Sequence, residues 1–520
     1  MSEGGGTAGA GGQISVDAAG EALDRRRGLL IALAGVLLYV LVHAGFRLIA
    51  SSTLGEDDTL EQILVQDLRA GYNPRQPPLY DWVLYGVQKV IGTGLLSFLV
   101  IKYAALTASV VFLYLSAYRI LKDRVWALLT AESLALIYQI AWRYHEGFTH
   151  EVLAMVAVTA TLWAMLRLHD RGSAADYALF GVISGFGLLT EPNYTVYQMC
   201  LWGAVALQPS IRRAVVTPML AVSTVIALTI ASPFVVWVIS DATHLDAYFR
   251  PSVHGHLRDM LVGVKDAVRG PFMYLAPLIV IVPAVFPGFL LRAAADVREA
   301  WQKAFADDAA DLPRLVLSTM LLGIALSIVG GLVFGIGGYA MHVLMPLYVT
   351  SVIWLISVAQ RTGRARERRP VLARVALAIA VLALVARLAN MFVYDPVCKK
   401  CRWGIPYDRL AAALRADGLD GTGTIIVGDD ELGGNLRAQL DDVRIVLAGR
   451  YEPEGLARDG AARVFIWDAS DRLDDLAKAF AGYPEAVNAL GSAKLAKVPW
   501  HHLWRRDGYR TSDWKYVIIR

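Results

Sequence analysis

The residues best placed to do chemistry form an acidic run, Glu56-Asp57-Asp58, directly before a short apolar stretch. The apolar residues of that stretch recur at helical spacing and predict an amphipathic helix ending at Gly71; they are Leu60, Ile63, Leu64 and Leu68. Three adjacent carboxylates repel one another, so their presence side by side suggests that a function requires them. A carboxylate held at the head of a helix can act as a general base toward a hydroxyl or can bind a metal ion.

Helix capping is the alternative role for one of these acids. Asp58 is followed three residues later by Glu61, which fits a capping box in which the two residues satisfy each other's backbone amides. One acid would suffice for a cap, so capping does not explain the whole run. Farther along, Pro77-Pro78 predicts the start of a second helix.

Two further polar groups stand against apolar surroundings. Lys102 lies inside a long apolar run, where it can belong to a buried site or extend its amine to the nearest surface. Thr149-His150-Glu151 opens another apolar run, where the histidine and the acid can cap a helix or contribute to a site. Arg75 is the cation nearest to Pro77-Pro78.

The composition identifies the setting of these residues. The chain has 520 residues, of which 56% are hydrophobic and only 18% are charged, against about 25% charged residues in soluble domains. A single soluble core stops growing by roughly 250–300 residues, so a soluble enzyme of this composition is not expected. The high share of hydrophobic residues excludes a disordered chain. The formal charge of +4, from 50 basic and 46 acidic residues, is too small to indicate a nucleic-acid partner. A polytopic membrane protein remains.

Apolar runs and basic residues predict how the chain crosses the bilayer. A span needs about 20 apolar residues, and about eleven runs qualify, near 28–50, 95–119, 124–141, 149–168, 175–190, 193–208, 213–239, 272–292, 313–335, 338–360 and 371–393. Lysine and arginine cluster in alternate connections, which predicts a cytoplasmic N-terminus and an extracytoplasmic C-terminus. The acidic run then lies outside the cytoplasm, on an interfacial helix.

We therefore predict an all-α membrane protein with a small extracytoplasmic α/β domain at its C-terminus. Residues 1–27 are expected to be a disordered cytoplasmic segment, and residues 28–393 the membrane domain. Its outer side is expected to carry the first outer loop, 51–94, and a long outer loop, 241–270. The domain 394–520 contains three β-branched runs, each followed by polar or helix-like residues: 424–430, 443–449 and 463–469.

The C-terminal domain also contains a cysteine pair, Cys398-Lys-Lys-Cys401. In an oxidising compartment two cysteines so close together can form a local disulfide. A metal site is the alternative, but no second pair of ligands accompanies them. We predict the disulfide.

Several of these motifs together resemble the membrane glycosyltransferases with the GT-C fold, which include the protein O-mannosyltransferases and the aminoarabinose transferases of lipid A. Asp57-Asp58 matches the acidic pair of that family, Gly71-Tyr72 ends its interfacial helix, and Gln76-Pro77-Pro78-Leu79 matches a segment that often reads Lys-Pro-Pro-Leu. With Cys398-x-x-Cys401 and Gly434-Asn-Leu-Arg437, the chain looks closest to a rhizobial-type branch that includes lipopolysaccharide galacturonic acid transferases.

This resemblance implies an enzyme that transfers a sugar, with inversion, from a polyprenyl-phosphate donor to a hydroxyl of an envelope glycolipid. It implies Asp57 as the general base, with Asp58 and Glu151 as further catalytic carboxylates. Substrate contacts are expected from Glu56, Tyr72, Arg75, Gln76, Lys102, His150 and His342. His342 stands where relatives have an arginine expected to meet the donor phosphate. No cofactor is implied with certainty, and a requirement for a divalent cation stays open.

A lipid or sugar transporter without transferase activity is the alternative function. It predicts polar groups spread through several spans near the middle of the bilayer. The polar residues singled out above instead gather at the outer ends of the predicted spans. A single cavity joining Asp57, Glu151 and His342 would favour the transferase.

Overall fold

The computed structural model describes residues 8–249, 257–334, 344–394, 402–419, 423–453, 461–500 and 510–520. The long N-terminal part is helical. Its helices are α1 (Ala8–Ala50), α2 (Glu56–Leu64), α3 (Leu79–Ile91), α4 (Leu95–Leu121), α5 (Arg124–Glu132), α6 (Tyr138–Ala141), α7 (His150–Asp170), α8 (Ala174–Leu188), α9 (Pro192–Ala206), α10 (Pro209–Val215), α11 (Leu220–Ile239), α12 (Ala242–Phe249), α13 (Leu257–Tyr274), α14 (Leu278–Val285), α15 (Phe289–Gln302), α16 (Leu312–Phe334), α17 (Met345–Tyr348), α18 (Ser351–Gln360) and α19 (Ala365–Leu388).

Six helices in the described part of the chain are long and apolar enough to cross a membrane, and all six coincide with predicted runs. They are Gly20–Ala50, Leu95–Leu121, His150–Asp170, Leu220–Ile239, Leu312–Val333 and Ala365–Val393. The predicted run near 272–292 instead forms α14 and α15, which meet at an angle of 112° and would make a seventh span if counted as one. The multi-pass membrane architecture is thus confirmed, whereas the count of eleven spans is not.

Two predicted irregular segments are helical in the structure. Helix α1 begins at Ala8, within the segment expected to be irregular, and it continues without a break into the apolar helix that follows. The predicted outer loop 241–270 contains α12 and most of α13. Apolar residues at helical spacing make α13 amphipathic, and it packs against α16.

The C-terminal part is a five-stranded sheet with helices. Its elements are α20 (Tyr407–Ala416), β1 (Thr424–Val427), α21 (Asp430–Gln439), β2 (Arg444–Leu447), β3 (Arg463–Asp468), α22 (Leu473–Ala479), α23 (Pro484–Ala489), β4 (Lys494–Pro499) and β5 (Thr511–Ile519). The strand order is β2-β1-β3-β5-β4, in which β1 is parallel to β2 and β3, and β5 is antiparallel to β3 and β4. The three predicted strands are therefore confirmed as β1, β2 and β3.

Helix α2 packs against this C-terminal domain rather than against lipid. Ile63 and Leu64 are buried in the same apolar core as Leu436 of α21. A Cβ added to Gly434 would lie 2.2 Å from the carbonyl oxygen of Thr59, so the two helices approach as closely as a glycine allows. The apolar stripe from which we predicted an interfacial helix is therefore covered by the sheet domain.

The end of α2 is also different from the prediction. The helix stops at Leu64, and Leu68 is exposed. Gly71 does not end a helix; a Cβ there would lie 2.3 Å from the ring of Trp237, so close packing requires glycine at this position. The second helix does begin as predicted, with Pro78 as the N-cap of α3.

Contacts between distant segments bring predicted basic connections to one end of the helices. Arg124 pairs with Asp24 at 2.8 Å, and Arg369 lies 3.4 Å from Asp123. A cavity of about 770 Å³ at this end is lined by residues of α1, α4 and α7 and by Lys122 and Arg171, which follow α4 and α7. This clustering is what the alternating pattern of basic residues predicts.

Because basic residues remain on the cytoplasmic side of inner membranes, we expect this end to face the cytoplasm. A reporter that is active only outside the cytoplasm should be active when fused after Arg520 and silent when fused after Arg364. The two fusions serve as controls for each other, since both follow the same apolar helices up to α18. An inactive reporter after Arg520 would place the sheet domain inside the cell.

Candidate active site

The first turn of α2 carries three acids, Glu56, Asp57 and Asp58, which we call the acidic cluster. Gly55, in extended conformation, is the N-cap, so the alternative role of Asp58, as N-cap of a capping box, is wrong. Asp58 is instead the third helical residue, and its carboxylate accepts a hydrogen bond from the backbone amide of Gly55. The helix N-terminus, with its free amides and positive dipole end, favours negative charge here.

Asp58 is a buried partner of Lys102. The Lys102 ammonium lies 3.6 Å from the Asp58 carboxylate, and the two side chains are only 1% and 3% exposed. Lys102 therefore does not extend to a surface. Burial raises the pKa of Asp58, while Lys102 and the buried Arg47 oppose that rise. Removing one partner of such a pair typically costs 3–5 kcal/mol, so Asp58 is fixed by its surroundings.

Asp57 is placed differently from its neighbour. It keeps contact with solvent and lies against Gly147, where an added Cβ would be 3.6 Å from the Asp57 carboxylate. Desolvation by the surrounding protein, followed by the negative charges of Glu151 and the other acids of α2, raises the pKa of Asp57 to about 7. A carboxylate with a pKa near neutrality is suited to general-base catalysis.

Glu56 faces the C-terminal domain and a small cavity. Its carboxylate pairs with Arg402, which precedes α20. Both residues line a cavity of about 190 Å³, together with Arg143 and Glu146, which pair at 3.2 Å. The cavity thus brings two guanidinium groups next to the acidic cluster.

A second group of titratable side chains lies one turn farther along α2. Glu61, Asp81 and His150 are buried, and one ligand atom from each lies within 4.8 Å of the others. His150 Nε2 is 3.2 Å from Glu61 Oε1. Burial and the adjacent Glu61 raise the pKa of Asp81 well above its ordinary value. Burial also acts to raise the pKa of Glu61, but the charge of His150 and hydrogen bonding with Asp81 and His150 together lower it.

Glu151 contributes both to the start of α7 and to the electrostatics of the acidic cluster. Its carboxylate accepts a hydrogen bond from the backbone amide of Thr149 at 3.1 Å, at the start of α7. After desolvation, the negative charge of Glu151 contributes most to raising the pKa of Asp57. Both roles weighed from the sequence, the cap and the site, are therefore compatible with its position.

Three residues predicted to contact substrate form hydrogen bonds with neighbouring parts of the protein. The Tyr72 hydroxyl donates to the carbonyl of Asp67 at 2.6 Å. Arg75 donates from Nε to the carbonyl of Ala247 at 3.0 Å, and Gln76 bonds to Asn73. These contacts stabilise the loop between α2 and α3. The predicted His342, Cys398 and Cys401 lie outside the described residues.

The structure adds groups that the sequence did not single out. Asp81 follows the Pro-Pro motif, and only the packing of α3 against α7 brings it to His150. Arg143 and Arg402 are 259 positions apart in the chain and meet only through the cavity they line. Glu61 had been assigned only to capping. Its spacing of four residues from Asp57 was the one available signal that both share a helix face.

Comparison with known proteins shows which proteins the chain resembles. Residues 75–237 match the family described as dolichyl-phosphate-mannose-protein mannosyltransferase. The chain is 26% identical over 436 residues to the lipopolysaccharide core galacturonosyltransferase RgtB of Rhizobium johnstonii, covering 82% of this chain and 84% of the relative. It is 28% identical over 428 residues to RgtA of the same organism, with coverages of 80% and 82%.

Solved structures agree at the level of the fold. ArnT from Cupriavidus metallidurans superposes with a TM-score of 0.58 in its apo state, at 14% identity, covering 94% of this chain and 98% of that one. The same protein bound to undecaprenyl phosphate gives a TM-score of 0.56 at 13% identity, covering 93% and 98%. The chain therefore has the GT-C fold of membrane glycosyltransferases. The resemblance to the rhizobial branch, seen first in the motifs, is confirmed.

Proposed function

We propose that this protein transfers a uronic acid or related sugar from a polyprenyl-phosphate donor to a hydroxyl of a lipopolysaccharide-type glycolipid, with Asp57 as the general base. The observation that carries this assignment is the contrast between Asp57 and Asp58. The two acids are adjacent, yet only Asp57 keeps contact with solvent, and its pKa is raised to about 7, whereas Asp58 is buried against Lys102. An acid that accepts a proton from a substrate needs those properties.

The proposed step is a displacement at the anomeric carbon of the sugar. Asp57 takes the proton of the acceptor hydroxyl, whose oxygen forms the new glycosidic bond from the face opposite the phosphate. The bond between the anomeric carbon and the phosphate oxygen breaks, and the polyprenyl phosphate leaves with the electron pair. Arg143 and Arg402, which line the cavity beside the acidic cluster, can stabilise the phosphate charge.

Relatives support the choice of donor and acceptor. ArnT, which shares the fold, has been crystallised with undecaprenyl phosphate. RgtA and RgtB, which are similar over about four fifths of the chain, are named as transferases of galacturonic acid to the lipopolysaccharide core. A lipid-linked donor also accounts for an active site at the end of membrane-spanning helices. We place the site on the periplasmic side of the inner membrane.

Replacing the proposed base tests the function. Asp57→Asn should lower the rate of sugar transfer by at least about a hundredfold, the usual range for loss of a general base. Thermal stability in detergent should stay near that of the wild type, because Asp57 keeps solvent contact and is not the partner of Lys102. The measurement is transfer by the purified protein from a polyprenyl-phosphate sugar to lipopolysaccharide core acceptor.

Asp58→Asn is the matched control, since it removes the same charge one residue away. It leaves Lys102 buried without its partner, so we expect a loss of thermal stability rather than a selective loss of rate per folded molecule. Near wild-type transfer by the Asp57 variant, together with an inactive but stable Glu56 or Asp58 variant, would show that another acid is the base. Full activity in all three variants would favour the transporter.

The pKa of Asp57 also predicts a pH dependence. The base must be ionised to accept a proton, and its pKa is about 7, so the rate should fall as the pH drops below that value. The loss should be roughly tenfold per pH unit in kcat/KM for a single titrating group. The residual rate of Asp57→Asn should lack this inflection. A wild-type rate that is constant from about pH 5 to 8 would contradict the assignment.

A further inference from the structure

Glu61, Asp81 and His150, which we call the acid–histidine triad, come from three different helices. Glu61 lies on α2, Asp81 on α3 and His150 at the start of α7. Each residue is 2% exposed, so water can contribute little to the stability of their charges. Buried ionisable groups in proteins are paired or bind metal ions.

The two carboxylates of the triad face each other. The side chain of Asp81 lies within hydrogen-bond reach of Glu61. An ionised carboxylate only accepts hydrogen bonds, and within the described residues Glu61 Oε2 and Asp81 Oδ1 have no donor. Two buried acceptors in contact require a positive charge between them, which is either a shared proton or a bound cation.

His150 adds a nitrogen ligand to the two carboxylates. Its Nε2 lies at hydrogen-bond distance from Glu61 Oε1, 3.2 Å, which is also close to the separation of roughly 3.4 Å between two ligands that bind one tetrahedral zinc ion at about 2.1 Å. The three ligand atoms lie within 4.8 Å of one another, so all three can approach a single ion. One nitrogen and two carboxylate oxygens suit zinc, whereas magnesium and calcium favour sets made of oxygen alone.

We propose that the acid–histidine triad binds a divalent transition-metal ion, with zinc as the best match. Two carboxylates and a neutral imidazole balance the double charge of the ion and leave a fourth position for water. The ion would join α2, α3 and α7 directly behind the acidic cluster. This site is separate from Asp57 and goes beyond the proposed transferase function.

Metal content of the purified full-length protein tests the proposal. We expect about one zinc ion per chain in the wild type by elemental mass spectrometry, and a loss of at least about tenfold in His150→Gln and in Asp81→Asn. Asp176→Asn is the control, because it also removes a buried carboxylate but one that pairs with Arg167. It should retain the metal.

A second measurement does not depend on the variants folding. Wild-type protein treated with a chelator should unfold at a lower temperature, and ZnCl2 but not MgCl2 should restore the unfolding temperature. Metal-free wild-type protein whose unfolding temperature does not respond to zinc would mean that the two carboxylates share a proton. Metal retained by both variants would also overturn the proposal. Neither readout involves sugar transfer, so this test and that of the proposed function fail independently.

Discussion

The carboxyl end of helix α2 is stabilised by the C-terminal domain, and the acidic cluster depends on that contact. Arg437 of α21 donates to the carbonyls of Gln62 and Val65, and the Tyr451 hydroxyl donates to the carbonyl of Leu64 at 2.7 Å. Helix α2 has only nine residues, and helices this short are not stable alone in water. Donors from another domain satisfy the last carbonyls of α2 and thereby fix the first turn in place.

The fold gives two adjacent acids different environments. Lys102, inside the membrane-spanning α4, neutralises Asp58, so a lysine that would be costly in hydrocarbon is instead part of a buried pair. Asp57, one residue away, has mainly carboxylates as charged neighbours and keeps its access to solvent. Different environments for neighbouring carboxyl groups are how enzymes assign different roles to the same residue type.

The sequence predicted elements better than contacts between them. Long apolar runs predicted the six long membrane helices and β-branched runs predicted three strands of the sheet, because each depends on the local sequence. It could not show that Ile63 packs on the C-terminal domain, since a helix face reads the same against lipid and against protein. The partners of Lys102 and Asp81 also depend on how helices distant in sequence pack. In the sequence, Gly434-Asn-Leu-Arg437 indicates a resemblance to the rhizobial-type branch. The role of Arg437 at the end of α2 depends on a contact that only the structure shows.

The most direct test of the central claim, that the C-terminal domain fixes α2, is amide hydrogen exchange over residues 56–66 in Arg437→Met. Removing a charged donor from buried carbonyls costs about 1.5–3 kcal/mol, so exchange there should become roughly ten- to a hundredfold faster. Strands β1 to β3 should keep their protection. Arg415→Met is the control, because Arg415 is on the neighbouring α20 and pairs with Asp442 away from α2; it should leave residues 56–66 unchanged. Equal protection of α2 in the wild type and Arg437→Met would contradict the claim.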